Sequence, residues 1–228
     1  FRALKDANPS FPGLYKFQFE GIQKFLKKLL NTESSPLVIR APTDSGKSLV
    51  FYVCSAIQKV LNELHGTSTL ITFPTKALNA SQFNDMTRFF YYLNKRGIDI
   101  SLGYYTGSFE GGEFDPNSIS NAKNVSGGEP LNLIRECPNC NDKQIVVEKI
   151  DDLRIIPKCS SCNEKFNFIF VTNKEVESYC PNVIIGTPDK FWNSISGFLP
   201  SHTIFGAPSK RCPHCKFVKP LIFSDQSE

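Results

Sequence analysis

The sequence predicts an α/β domain: a mostly parallel sheet flanked by helices, with a small module inserted. Three observations predict it. A short apolar run, Leu37-Val38-Ile39, breaks into the loop Ala41–Ser48 (APTDSGKS). Apolar residues then recur at Leu49, Val50, Val53, Ile57, Val60 and Leu61, a helical spacing. Apolar runs at Thr69–Phe73, Ile98–Tyr105 and Asn182–Gly186 alternate with helix-like segments, as in β-α-β units. Between the second and third of these lies a polar, glycine-rich stretch with two Cys-x-x-Cys pairs.

Bulk properties narrow the choices. A chain of 228 residues allows one large domain or one domain with a small insert, and 40% hydrophobic content supports a core. A net charge of +4 permits a polyanionic partner without requiring one. No apolar stretch approaches the ~20 residues of a membrane span. The opening FRALKDANPSFPG lacks the charged and apolar regions of a secretion signal, and a start at Phe reads as a piece of a longer protein. The expected compartment is the cytoplasm, or the nucleus in a eukaryote.

In chain order, Pro9, Pro12 and Gly13 mark residues 1–13 as an irregular lead-in. From Tyr15 to Leu30, Phe17, Ile22, Phe25, Leu26, Leu29 and Leu30 line one helical face, with Lys24, Lys27 and Lys28 mostly opposite on a solvated face. Leu37–Ile39 reads as a strand entering the loop. A turn at His65-Gly66-Thr67 leads to the next strand, which ends in Pro74-Thr75-Lys76-Ala77-Leu78, and a helix then runs to about Leu93. Residues 1–107 thus form the first part of the domain. Residues 108–173 are the insert, with Gln144–Val147 and Arg154–Ile156 as short strands. Residues 174–228 resume the domain: a short helix at Glu175–Tyr179, the run Asn182–Gly186, then Thr187-Pro188-Asp189 and a late apolar run, Val218–Phe223.

Strand, loop, Gly-Lys-Ser and helix is the context of a phosphate-binding loop. Backbone N–H groups at a helix N-terminus favour an anion. Gly46 allows close backbone approach, Lys47 reaches the outer phosphates and the Ser48 hydroxyl can ligate Mg²⁺. The expected nucleotide site is Ala41, Pro42, Thr43, Asp44, Ser45, Gly46, Lys47 and Ser48, with Lys47 and Ser48 in the catalytic roles. The first glycine of the generic pattern is replaced by Ala41.

Of eight cysteines, six fall in Cys-x-x-Cys pairs: Cys137/Cys140, Cys159/Cys162 and Cys212/Cys215. In a reducing compartment such pairs hold metal. The spacing C-x2-C-x18-C-x2-C of the first four fits a four-thiolate zinc ribbon with no open ligand position, hence a structural site whose metal supplies folding energy. Lys143, Lys149, Arg154 and Lys158 could face a nucleic acid there, but Asp142, Glu148, Asp151 and Asp152 offset them, so protein docking or a purely structural role stays open. Cys212 and Cys215 make half of a second zinc site. Their partners lie beyond residue 228, or are Cys180 and His202. Cys54 reads as core and His65 as a turn residue.

Four segments, in order, resemble the first RecA-like domain of superfamily 2 DExD/H-box helicases. Tyr15-x-x-Gln18-x-x-Gly21-Ile22 resembles the glutamine motif, Ala41–Ser48 motif I in the A-P-T-x-S-G-K-S form, Pro74–Leu78 motif Ia, and Thr187-Pro188-Asp189 motif Ib. The resemblance implies ATP with Mg²⁺ as cofactors beside Zn²⁺ and gives Gln18 the adenine. It implies a nucleic-acid strand, DNA ahead of RNA, held by Pro74, Thr75, Lys76, Thr187 and Pro188, together with a second RecA-like lobe. The expected parent is an ATP-dependent helicase or translocase. Alternatives are a duplex translocase that does not unwind, as in a defence or restriction complex, and a zinc-dependent binding module without hydrolysis, each with room for protein partners. No Asp-Glu-x-Asp or Asp-Glu-x-His follows a strand after Asp189, so no carboxylate partner for Mg²⁺ is expected and the chain alone is expected not to hydrolyse ATP.

Overall fold

The computed structural model describes residues 2–33, 35–42, 45–62, 66–106, 127–128, 130–195 and 204, and the backbone of 221–224. Thr43, Asp44, His65, His202, Cys212 and Cys215, named above, lie outside the described residues.

The helices are α1 (Arg2–Ala7), α2 (Lys16–Leu30), α3 (Ser48–Asn62), α4 (Lys76–Lys95), α5 (Asn173–Tyr179) and α6 (Pro188–Ile195). The strands are β1 (Thr69–Thr72), β2 (Leu102–Tyr105), β3 (Ile145–Lys149), β4 (Ile155–Cys159), β5 (Ile169–Phe170), β6 (Val183–Gly186) and β7 (Leu221–Ser224). Five strands form one parallel sheet in the order β5-β2-β6-β1-β7, with Leu70 opposite Ile184 and Ile222. β3 and β4 pair separately as an antiparallel hairpin. β5, inside the 108–173 stretch, is an edge strand of the main sheet.

Every residue of β1, β2 and β6 is buried, as a parallel sheet covered on both faces requires. Alternation sorts them. Ile71, Tyr104 and Ile185 join Phe83, Met86 and Phe90 of α4 on one face, whereas Leu70, Tyr105 and Ile184 join Val176 of α5 and Phe191 of α6 on the other. A third cluster seats α2 on α3 through Phe25, Val50 and Cys54.

Two expectations change. Residues 2–7 are helical where an irregular lead-in is expected, because burying Ala3 and Leu4 against α4 stabilises a turn that the later prolines cannot disturb. Leu37–Ile39 has no strand partner among the described residues. Leu37 and Ile39 do pack on the α2–α3 cluster while Val38 is 74% exposed, the in-out alternation of a strand.

Candidate functional site

The loop up to Lys47 opens α3. That helix delivers the chain to the start of β1, so its own N-terminus points to the opposite edge of the sheet, where the strands end. Gly46 holds φ +79, and a Cβ there would meet Gln18 Nε2 at 2.9 Å. Glycine is needed on both counts. Lys47 Nζ donates to the Ala41 carbonyl at 3.0 Å, bridging the loop from its last residue before the helix to its first. Ser48 is the first residue of α3. A cavity of about 660 Å³ beside the loop is lined by Tyr15, Lys16, Phe17, Glu20, Pro42 and Ser45.

Gln18 links Tyr15, which lines this cavity, to the loop. It is 2% exposed, its Oε1 accepts from Tyr15 N at 2.9 Å and its Nε2 donates to the Gly46 carbonyl at 2.8 Å. Both halves of the amide are thus engaged, tying the start of α2 to the phosphate loop 28 residues on.

At the same edge, Phe73 N donates to the Gly186 carbonyl (3.3 Å), so the segments after β1 and β6 emerge side by side. Thr75 is the N-cap of α4 and accepts from Leu78 N at 3.2 Å. Thr187 accepts from Lys190 N at 3.4 Å and is 8% exposed. A capping hydroxyl spends a lone pair and keeps its O–H, so capping leaves each threonine able to donate to an anion. Pro74 and Pro188 are exposed and Lys76 half-buried. Asn79, which sequence reasoning passed over, braces this turn by donating to the carbonyls of Phe73 (3.0 Å) and Thr75 (2.8 Å).

β7 lies beside β1, so its end falls on the same edge, and Asp225 follows it directly in the chain. Asp225 itself lies outside the described residues.

The thiols of Cys137, Cys140, Cys159 and Cys162 all lie within 4.8 Å of one another. Cys137–Cys162 and Cys140–Cys159 sulfurs are 3.7 and 3.6 Å apart. Four sulfurs around Zn²⁺ at ~2.3 Å would stand about 3.8 Å apart, so the donor set fits that ion. The two knuckles repeat one geometry. Asn141 N donates to Cys137 O (2.8 Å) and Asn163 N to Cys159 O (3.0 Å), and both asparagines take the left-handed conformation at φ 60 and 59. The Asn139 side chain and the Glu164 N–H hold the Cys162 thiol down at about 6, whereas burial pushes Cys137 up to about 12.

The cysteine module is built into the main domain. Cys137, Cys159 and Phe166 are fully buried members of the principal core cluster. From α4, Tyr92 Oη donates to the Pro138 carbonyl, Arg88 to Asn141 Oδ1 and Asn84 accepts from Arg135 N, while Lys95 pairs with Glu164 at 2.9 Å. Arg154, read as a surface cation, is 8% exposed. It donates to Glu175 Oε1 (2.6 Å) and to the carbonyls of Ile155, Ile169 and Asn167, and lies 4.1 Å over the Phe170 ring. Glu175 also accepts from Ile155 N, Val171 N and Thr172 N. Lys149 and Lys158 pair with Asp152 and Glu148, so the module is no basic patch.

Residues 17–113 match the family model of the DEAD/DEAH box helicases. That match, joined to the parallel sheet, supports a helicase-type RecA-like domain and an ATP-dependent helicase-family function in general. No curated protein matches the chain. No helix among the described residues is long and apolar enough to cross a membrane.

Proposed function

We propose that the chain is the ATP-binding RecA-like domain of a superfamily 2 helicase or translocase with an integrated zinc ribbon. The observation that carries this is the Gln18–Gly46 clamp, which joins the α2 segment and its cavity to a Gly-Lys-Ser loop at a helix N-terminus. Lys47 and the loop N–H groups would hold the phosphates, and Ser48 together with Asp225, the acid that follows β7 in the chain, would hold Mg²⁺. The cavity beside Tyr15 and Phe17 takes the adenine, with Gln18 fixing the distance between base and phosphate subsites. Thr75 and Thr187 hold the sugar-phosphate backbone of one strand through hydroxyl and N–H donors, which position a strand without reading its sequence. Zn²⁺ on Cys137, Cys140, Cys159 and Cys162 holds the ribbon. Movement along the strand comes from a second RecA-like lobe that closes on the nucleotide.

The test is ATP binding and steady-state hydrolysis, with and without single-stranded DNA or RNA, in the wild type, Lys47→Ala and Asp225→Asn. Lys47→Ala is expected to lower nucleotide affinity at least ten-fold. Asp225→Asn is expected to keep ATP binding without Mg²⁺ but lose the gain that Mg²⁺ gives. Wild-type behaviour of both variants would overturn the assignment.

A further inference from the structure

The sole tryptophan of the chain, Trp192, is 76% exposed, although indoles are usually among the most covered side chains. Its direction is fixed. On α6, Phe191 is buried against Gly186, where a Cβ would stand 3.1 Å from the Phe191 ring, and Ser194 is buried against Tyr105 Oη at 2.7 Å. Tyr105 Oη also donates to Glu177 Oε1 of α5 at 2.8 Å. With the 191 and 194 side pinned by two elements, helix geometry turns 188, 192 and 195 outward together. Pro188 and Asp189 are exposed and Ile195 is 52% exposed. The apolar stripe Pro188–Trp192–Ile195 therefore begins at the turn that carries Thr187, with the indole about 6 Å along the axis from Pro188.

The chemistry of this face selects its occupant. Lys190, the nearest cation in sequence, turns back over the Tyr105 ring at 4.4 Å, and burial lowers its affinity for a proton. Asp189 adds a negative charge one turn before the indole. A phosphate is therefore disfavoured over Trp192, whereas the uncharged face of a base is not. We propose that Trp192 is a stacking platform for an unpaired nucleobase of the strand whose backbone Thr75 and Thr187 hold. This rests on the nucleic-acid assignment above and adds to it a requirement for single-stranded bases, since a paired and stacked base offers no free face.

The single indole makes the test direct. Fluorescein-labelled oligo(dT) and oligo(rU) twenty-mers report binding by anisotropy, and the unlabelled oligonucleotides are followed by tryptophan emission of the 228-residue chain. The expected result is solvent-exposed emission, accessible to acrylamide, that is quenched as the oligonucleotide binds. Trp192→Ala should weaken binding by roughly ten-fold or more, and Trp192→Phe by less. Binding with unmoved emission and a wild-type affinity for Trp192→Ala would overturn the platform and leave the nucleic-acid assignment standing. Blue-shifted, acrylamide-shielded emission in the free chain would overturn it in favour of a cover formed by the protein's own residues 196–220. No binding of either oligonucleotide by the wild type, with or without ATP, would sink the nucleic-acid assignment and the platform with it.

Discussion

At the scale of single residues, the Gly-Lys-Ser loop depends on two residues that share one contact. Gly46 is at φ +79 with Gln18 Nε2 on its carbonyl, so any side chain there is strained and also pushes the clamp aside. Gly46→Ala should cost about 1–2 kcal/mol of stability from the left-handed backbone alone, read by urea denaturation, and should weaken ATP binding further. Gln18→Ala removes the amide that bridges Tyr15 N and the Gly46 carbonyl. It should cost about 1–2 kcal/mol and raise the Kd for ATP, with the zinc content unchanged. Gln18 shows where sequence reading stops. A helix position facing solvent and one facing a loop 28 residues away look alike on the helical wheel, and only the folded chain shows that this amide is 2% exposed.

At the scale of elements, the alternating strands and helices were legible because each carries its own period. Leu70 and Ile71, Tyr104 and Tyr105, Ile184 and Ile185 serve opposite faces, so the runs read as continuous apolar strands. The Cys-x-x-Cys spacing was legible for the same local reason. What held the ribbon down was not. Arg154 reads as a surface charge in sequence, and its burial follows from a glutamate 21 residues later and from three carbonyls that only the fold gathers. Glu175→Ala leaves that guanidinium buried without its charge partner and should destabilise the domain by about 3–5 kcal/mol. Replacing both partners, Arg154→Met with Glu175→Leu, removes the unpaired charge but leaves the Ile155, Val171 and Thr172 N–H groups without their acceptor, so only part of that loss is recovered. Chemical denaturation of the two variants checks the pair, and equal losses in the single and double variants would refute the ion-pair account.

At the scale of the whole molecule, the ribbon and the sheet share one core. Cys137, Cys159 and Phe166 belong to the same buried cluster as Ile71, Phe83 and Tyr104. Metal removal should therefore act on the entire domain. Chelation of zinc is expected to lower the Tm by about 10 °C, as loss of a few kcal/mol does in a chain of this size, with far-UV circular dichroism and zinc release falling in one transition. Two separate transitions would show that the ribbon melts independently. Sequence spacing alone marked the ribbon as an insert and left its seat in the domain undefined, because spacing reports which ligands meet and not what their hairpin rests upon.

The pairing of β1 with β7 carries a consequence for how the protein is made. Thr69–Thr72 meets Leu221–Ser224 in register, a partnership that spans most of the chain. During synthesis, one side of β1 stays open until Leu221–Ser224 has left the ribosome. Contacts so distant form slowly and expose a strand edge meanwhile, the condition under which nascent chains associate wrongly or recruit chaperones.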